Sequence, residues 1–565
     1  MNAPQSKHPA YYYISTKAAF DPVKTLYVCA PAAAAASLEG VQQFAKSSGW
    51  QTLAEEAGAV LVLPLAPNGW ENEPDELLLD LYQNTKNSFA TRSGKSIWGR
   101  MGSLWCWETI IYVAGYEEGA VFAGRTVTHY PNLFAAAVLI GGAPSDFSAG
   151  QLPSNHWFIK TASADYQVKN CEIPVCVWLF STNASDVQPA ASYFAACNGA
   201  AGAQNATVAG LPHQVYTGSN AAHQVRLFSG GYPAGPALAN LLLHECFDHV
   251  IRWKNGPDGT LCLTESRKEF YSDPRFLRRT VHAGGNDYDF FVHLPAGKTA
   301  AEAKGLPLVF TVHGRGEPAW MFTTKNGWDL LADETGEFVV VSPDSPGNIW
   351  FWDRDKDAFE AMISACAAEF GIDTARVYLT GFSNGGMITG EAAVYRPSLF
   401  AAVSPWNAPS IDTLLMREKD INVSSTTVSP ALDSAITAFA TGKTGLPCYF
   451  IFGDNDPAAS AGQSRLLQPF LQANHCAATV DAACPTGFAP AAVLTQQNAY
   501  GKQDGYTDPG RFTTYAYASA SGVVRVCVSI MKNMPHGAIF DESRAVWSFL
   551  KQFRRDAAAP DVSIL

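Results

Sequence analysis

No stretch of this 565-residue chain approaches the ~20 consecutive apolar residues that a membrane-spanning helix needs. An apolar signal-peptide core is missing as well, because the polar run from Met1 to His8 leads straight into the tyrosines Tyr11 to Tyr13. The sequence as numbered therefore reads as a soluble, cytoplasmic protein without a membrane partner, and as a secreted one if a leader preceded Met1. Clustered basic residues are also absent: 39 Lys and Arg stand against 51 Asp and Glu, for a net charge of -12, which argues against a nucleic-acid partner. Charged residues make up only 16% and hydrophobic ones 47%, the balance of an ordinary globular protein and not of a disordered chain. No metal ion or cofactor is called for. Cysteine is present but not arranged as a disulfide framework. Cys29, Cys176, Cys448 and Cys527 sit in apolar, strand-like runs and read as buried free thiols, whereas Cys476 and Cys484 bracket a polar loop and are the candidate disulfide pair.

What the chain does have is length and repetition. At 565 residues it is too long for one hydrophobic core. Gly49-Trp50 to Gly58 followed by Val60-Leu-Val-Leu-Pro64 matches Gly327-Trp328 to Gly336 followed by Phe338-Val-Val-Val-Ser-Pro343, with eight positions from Trp to Gly in both. Ile111 to Gly119 matches Val377 to Gly385, and Phe134 and Phe400 each lie nineteen residues beyond the first glycine of their segment. Each half then closes with an amphipathic helix, carried by Leu243, Phe247 and Val250 in the first and by Val546, Phe549, Leu550 and Phe553 in the second. The spacing predicts two tandem α/β domains of the same kind, 1–256 and 257–565, parted in the turn-rich stretch Lys254 to Gly259.

The second copy carries a chemical motif. Val377-Tyr-Leu-Thr-Gly-Phe-Ser-Asn-Gly-Gly-Met387 reads as a buried strand that turns sharply through Ser383 into a helix, the Gly-x-Ser-x-Gly nucleophile elbow. The motif alone is weak, but its context is not. Asp357 to Phe370 has helical periodicity before it, and Leu399-Phe-Ala-Ala-Val403 begins another strand after it. A serine needs a base held by an acid, in the chain order Ser, Asp, His for this architecture. Asp456 follows the strand Cys448 to Phe452, with Asp454 as the alternative acid, and His536 follows the strand Val523 to Met531. The oxyanion donors are expected to be the backbone N–H of Asn384 and that of Arg315 in His313-Gly-Arg-Gly316, with Gly314 next in line and His313 structural. At these positions the first copy has Glu117 for Ser383, Ala184 for Asp456, Pro233-Ala234 for Pro535-His536, and Pro31 in the oxyanion loop. It reads as a degenerate, non-catalytic domain, unless Glu117 itself is a nucleophile.

Together, His313-Gly-Arg-Gly316, Gly381-Phe-Ser-Asn-Gly-Gly-Met387, Leu399-Phe-Ala-Ala-Val403, Gly453-Asp-Asn-Asp456 and Pro535-His536 resemble the polyhydroxybutyrate depolymerase and feruloyl esterase family of α/β-hydrolases, over about residues 265 to 555. The resemblance implies two tandem α/β-hydrolase-type domains, each a mostly parallel sheet with helices on both faces. It also implies a serine hydrolase that cleaves small-molecule or polymeric esters through an acyl-enzyme, with hydroxyalkanoate-type or feruloyl-type substrates. Trp320, Phe322, Trp350, Phe351, Trp352 and Trp406 gather in strand-end loops, and Trp320, Trp350, Trp352 and Trp406 are the candidate substrate-binding residues. A serine peptidase of the same fold and a non-enzymatic scaffold are the competing readings.

Overall fold

Runs such as Val60-Leu-Val-Leu-Pro64 and Leu308-Val-Phe-Thr-Val312 leave no polar face, so they are stable only as strands covered on both sides. In the computed structural model, described for residues 8–17, 22–88, 105–150, 169–218, 220–255, 259–409, 430–442, 444–456, 458–496, 512–555 and 561–565, they form the centres of two large sheets in two units, Met1–Ser266 and Arg267–Leu565. The division falls after Ser266 and not after 256. Thr260–Leu263 pairs antiparallel with Val250–Trp253, which ties the expected second-domain start back to the first unit. Residues 256–258 of the expected linker lie outside the described residues.

The first sheet comprises β1 (Ala10–Ile14), β2 (Pro22–Cys29), β3 (Val60–Pro64), β4 (Trp105–Tyr116), β5 (Ala136–Ile140), β6 (Cys176–Ser181), β7 (Ala203–Val208), β8 (Leu211–Thr217) and β9 (Gln224–Ser229), in the order β1-β3-β2-β4-β5-β6-β9-β8-β7. Its centre, β3 to β9, is parallel and its edges antiparallel. The hairpin β10 (Val250–Trp253) and β11 (Thr260–Leu263) closes the unit. Val250 therefore starts a strand, and the expected closing helix is Pro236–Leu242 with one π-helical turn, Leu243–Phe247.

The second sheet comprises β12 (Phe276–Ala283), β13 (Asn286–His293), β14 (Leu308–Val312), β15 (Val339–Pro343), β16 (Val377–Phe382), β17 (Ala402–Trp406), β18 (Cys448–Gly453), β19 (Ala492–Gln496), β20 (Phe512–Ala518) and β21 (Val524–Met531). Its order is β12-β13-β15-β14-β16-β17-β18-β21-β20-β19. Without the edge strand β12 this is the order of the first sheet, strand for strand. Alternate residues face opposite layers: Leu308, Phe310 and Val312 join the helices Ala358–Phe370 and Asn384–Tyr395 in one core, and Val309 joins Trp328 and the closing helix Phe540–Leu550 in the other. Phe553 lies beyond that helix, in a short strand. Cys29, Cys176, Cys448 and Cys527 are buried free thiols, and Cys476 and Cys484 are free as well. The expected disulfide is not formed: the Cys476 thiol donates to the Tyr517 carbonyl at 3.6 Å, and the Cys484 sulfur lies 3.1 Å from the Thr486 hydroxyl.

The same close backbone approach occurs in each unit. A Cβ on Gly385 would lie 2.2 Å from the Val312 carbonyl oxygen, and one on Gly119 would lie 2.4 Å from that of Cys29. Gly385→Ala and Gly119→Ala are each expected to cost about 3 kcal/mol in urea denaturation, the upper range for overpacking a filled core. A loss below ~1 kcal/mol would show that the strand and helix can separate freely.

Candidate active site

Ser383 is the residue between strand and helix. Its N–H donates to the Trp406 carbonyl at 2.9 Å on the neighbouring strand, and its backbone sits at φ 55°, ψ -116°. A non-glycine residue at such dihedrals costs on the order of 1–3 kcal/mol and persists only where its surroundings enforce it. Here the close approach of Gly385 to β14 enforces it, and the hydroxyl is delivered to the carboxyl edge of the sheet.

The structure brings the three triad residues predicted from sequence together. His536 Nε2 lies 2.8 Å from Ser383 Oγ, and His536 Nδ1 lies 2.7 Å from Asp456 Oδ2. With the ring proton on Nδ1, the imidazole donates to the carboxylate and accepts from the serine, the polarity that a general base requires. The Asp456 carboxylate is fully buried, and its other oxygen accepts the Ala458 N–H at 2.7 Å. Asp454, the alternative acid, is exposed on the same turn. The His536 ring leans on Phe382, with centroids 5.0 Å apart. A residue not foreseen from the sequence fixes the acid and base loops to each other. Buried Asn407 accepts the Gly453 N–H at 2.7 Å and donates to the Gly537 carbonyl at 2.5 Å.

The oxyanion loop is anchored at several points. The Gly314 N–H donates to Glu317 Oε2 at 3.3 Å, and the Gly316 N–H to the Asn348 carbonyl at 2.6 Å. Both glycine amides are thus committed. His313 is completely buried: its Nδ1 lies 2.7 Å from the Gly314 carbonyl, and its Nε2 accepts the Ser345 N–H at 3.2 Å. Burial pushes its pKa down to about 4, so the ring is neutral and fills the structural role expected of it. Asn384 opens the elbow helix, where a first-turn N–H has no acceptor within its own helix. Its side chain clamps Trp350, accepting that residue's N–H at 2.7 Å and donating to its carbonyl at 3.1 Å.

The aromatic residues divide. Trp406 is 1% exposed, stacks on Trp328 and donates its indole N–H to Ser404 at 2.8 Å; Trp350 is 2% exposed and stacks on Phe359. Both belong to the core, which corrects their assignment to substrate binding: their rings complete the layers beneath the strand ends. Trp320 and Trp352 are partly exposed, the latter stacked on Tyr395 at 4.8 Å. Among the described residues, no group of three or more His, Cys, Asp or Glu side chains is placed to hold a metal ion.

Part of this chain is similar in sequence to known proteins. Residues 288–486 match the esterase PHB depolymerase family. That span includes Arg315, Ser383 and Asp456 and stops short of His536. Over 131 residues the chain is 33% identical to a bifunctional acetylxylan esterase/xylanase of Neocallimastix patriciarum, covering 22% of this chain and 19% of that protein. Over 129 residues it is 30% identical to poly(3-hydroxyalkanoate) depolymerase C of Paucimonas lemoignei, covering 20% of this chain and 30% of that one. The chain thus spans under a third of either relative. Among solved structures, an acetyl xylan esterase from Aspergillus awamori aligns over 48% of this chain and 99% of its own, with a TM-score of 0.34 and 13% identity.

The first unit repeats the elbow with Glu117 in place of the serine. Glu117 sits at φ 54°, ψ -118°, and its N–H donates to the Ile140 carbonyl at 2.7 Å, reproducing the backbone at Ser383. The paired registers Tyr116–Ile140–Phe180 and Phe382–Trp406–Ile451 set Ser185, not Ala184, at the position of Asp456. The pairs Cys29–Gly115 and Val312–Gly381 set Ala32 at the position of Arg315. The Ala32 N–H already donates to the Glu118 carboxylate at 3.2 Å, and Glu118 occupies the position of Asn384.

The buried His313 makes the second unit sensitive to acid. Its folded pKa of about 4 lies below the ordinary value of 6.5, so between these values the unfolded chain binds a proton that the folded chain refuses. Stability is full above pH ~6.5 and falls with pH, by about 3 kcal/mol at pH 4 from this residue alone. Urea unfolding of the wild type and His313→Gln at pH 7 and pH 4 is expected to show that excess loss in the wild type. Equal losses would assign the acid limb to other groups.

Proposed function

We propose that the second unit is a serine hydrolase that cleaves carboxylic esters through an acyl-enzyme. The observation that carries this reading is the hydrogen-bonded chain from Ser383 through His536 to buried Asp456, mounted on a strained elbow. Ser383 Oγ attacks the ester carbonyl while His536 Nε2 takes its proton. The negative charge formed on the carbonyl oxygen is received by the backbone N–H groups of Asn384 and Arg315. Collapse expels the alcohol, protonated by His536, and leaves the acyl group on Ser383. Water, deprotonated by the same histidine, then releases the acid and restores the serine.

The relatives' names direct the choice of substrates, acetyl and hydroxyalkanoate esters, to which the sequence resemblance adds feruloyl esters. Partly exposed Trp320 and Trp352 are the residues we assign to substrate contact. The first unit is assigned no catalytic role, because its oxyanion-loop amide faces a carboxylate and no histidine follows β9 before the helix at Pro236.

Hydrolysis of p-nitrophenyl acetate, methyl ferulate, hydroxybutyrate oligomers and acetylated xylan is the direct test. Ser383→Ala and His536→Ala are each expected to lower kcat by ~10⁴-fold or more, and Asp456→Asn by ~10⁴-fold, whereas Glu117→Ala leaves it within about twofold. Activity that survives Ser383→Ala would overturn the assignment, and activity lost with Glu117→Ala would move the chemistry to the first unit.

A further inference from the structure

One pair of opposite charges lies inside the second unit, beside the reacting groups and without a part in the proton transfers. Lys325 Nζ is 3.1 Å from Glu317 Oε1, and their side chains are 6% and 1% exposed. Removing two charges from water is costly, and a well-packed apolar pair of similar volume would serve the fold as well or better. Two further contacts of the pair lead to the site. The second oxygen of Glu317 accepts the Gly314 N–H at 3.3 Å. The Lys325 ammonium lies 3.6 Å from the centroid of the Phe382 ring, within cation–π range, and Phe382 both precedes Ser383 and supports the His536 ring.

We propose that the Glu317–Lys325 pair is a positioning device for the oxyanion loop, an inference that rests on the esterase reading above. Gly314 is held from both sides, its N–H by Glu317 and its carbonyl by His313 Nδ1 at 2.7 Å. A peptide is planar and trans, so its carbonyl and N–H point in opposite directions. Fixing the Gly314 carbonyl therefore aims the N–H of Arg315, which shares that peptide. Lys325 holds the Glu317 side chain in place through their contact at 3.1 Å, so that its second oxygen stays on the Gly314 amide. The first unit supplies an internal comparison. The strand register that aligns Ala32 with Arg315 puts Ala34 at the position of Glu317, so the unit that lacks the serine also lacks this carboxylate. Glu317 and Lys325 are positioning residues: neither is assigned a contact with substrate.

Single substitutions would strand a buried charge, so the test uses two double variants of the full chain. Glu317→Ala/Lys325→Met removes both charges and the acceptor for the Gly314 amide. Glu317→Gln/Lys325→Met removes both charges and keeps an acceptor. With p-nitrophenyl acetate, the alanine double is expected to lose about 10- to 100-fold in kcat with KM within about twofold, as a displaced transition-state donor does. The glutamine double is expected to stay within about threefold of wild type. Equal kcat values in the two doubles would overturn the positioning role while leaving the esterase reading intact. Should the alanine double not fold, a folded glutamine double with kcat down 100-fold would overturn it equally. A wild type inert toward every ester, with Ser383→Ala indistinguishable from it, would overturn the esterase reading and this inference with it.

Discussion

The passage of a strand carbonyl over a helix that has no side chain at its second position governs both units. Because Gly385 carries no Cβ, the elbow helix can lie against the end of β14, and the residue before the helix has only one way to turn, at positive φ. Everything reactive depends on that turn. It presents the serine hydroxyl, starts the elbow helix at Asn384, and brings the loop at His313 close because the carbonyls of Val312 and His313 are the ones in contact. The same contact in the first unit, between Gly119 and the carbonyls of Cys29 and Ala30, imposes the same dihedrals on a glutamate.

Around the elbow, side-chain amides and a neutral imidazole connect loops that the sheet alone would leave independent. Asn407 joins the acid loop to the base loop, Asn384 joins the elbow helix to the loop at Trp350, and His313 joins the oxyanion loop to the end of β15 through Ser345. Each uses a buried donor and acceptor that would be costly to leave unsatisfied, so each loop is held by the penalty for letting go. The triad geometry is therefore a property of several backbone segments fixed at once, in the manner expected of a preorganised site.

The fold was legible because its strands are short, wholly apolar and buried on both faces, and because the repeat doubled every signal. Chain order restricts an acid and a base to particular strand ends, but it left both Asp454 and Asp456 open; the structure sets Asp456 against His536. Sequence patterns failed where three-dimensional neighbours decide. Trp350 and Trp406 carry the same residue type as Trp320 and Trp352, yet strand-end geometry turns the first two inward. Asn407 and the Glu317–Lys325 pair gave no signal, since a buried polar residue is recognised only by partners distant in sequence, 130 positions away for the Asn407–Gly537 bond. The division falls later than the turn-rich stretch suggested because Thr260–Leu263 pairs with Val250–Trp253, a contact that turn residues do not announce.

The Glu118 carboxylate of the first unit sits where an oxyanion would otherwise be received, on the Ala32 amide. An anion approaching that amide would meet a negative charge already in possession of the donor. Replacing Glu117 with serine would thus create a nucleophile without an electrophile stabiliser, and undoing Glu118 alone would create the reverse. An ester-cleaving site on this elbow would therefore need several replacements made together, at Glu117, at Glu118 and in the loop after β9.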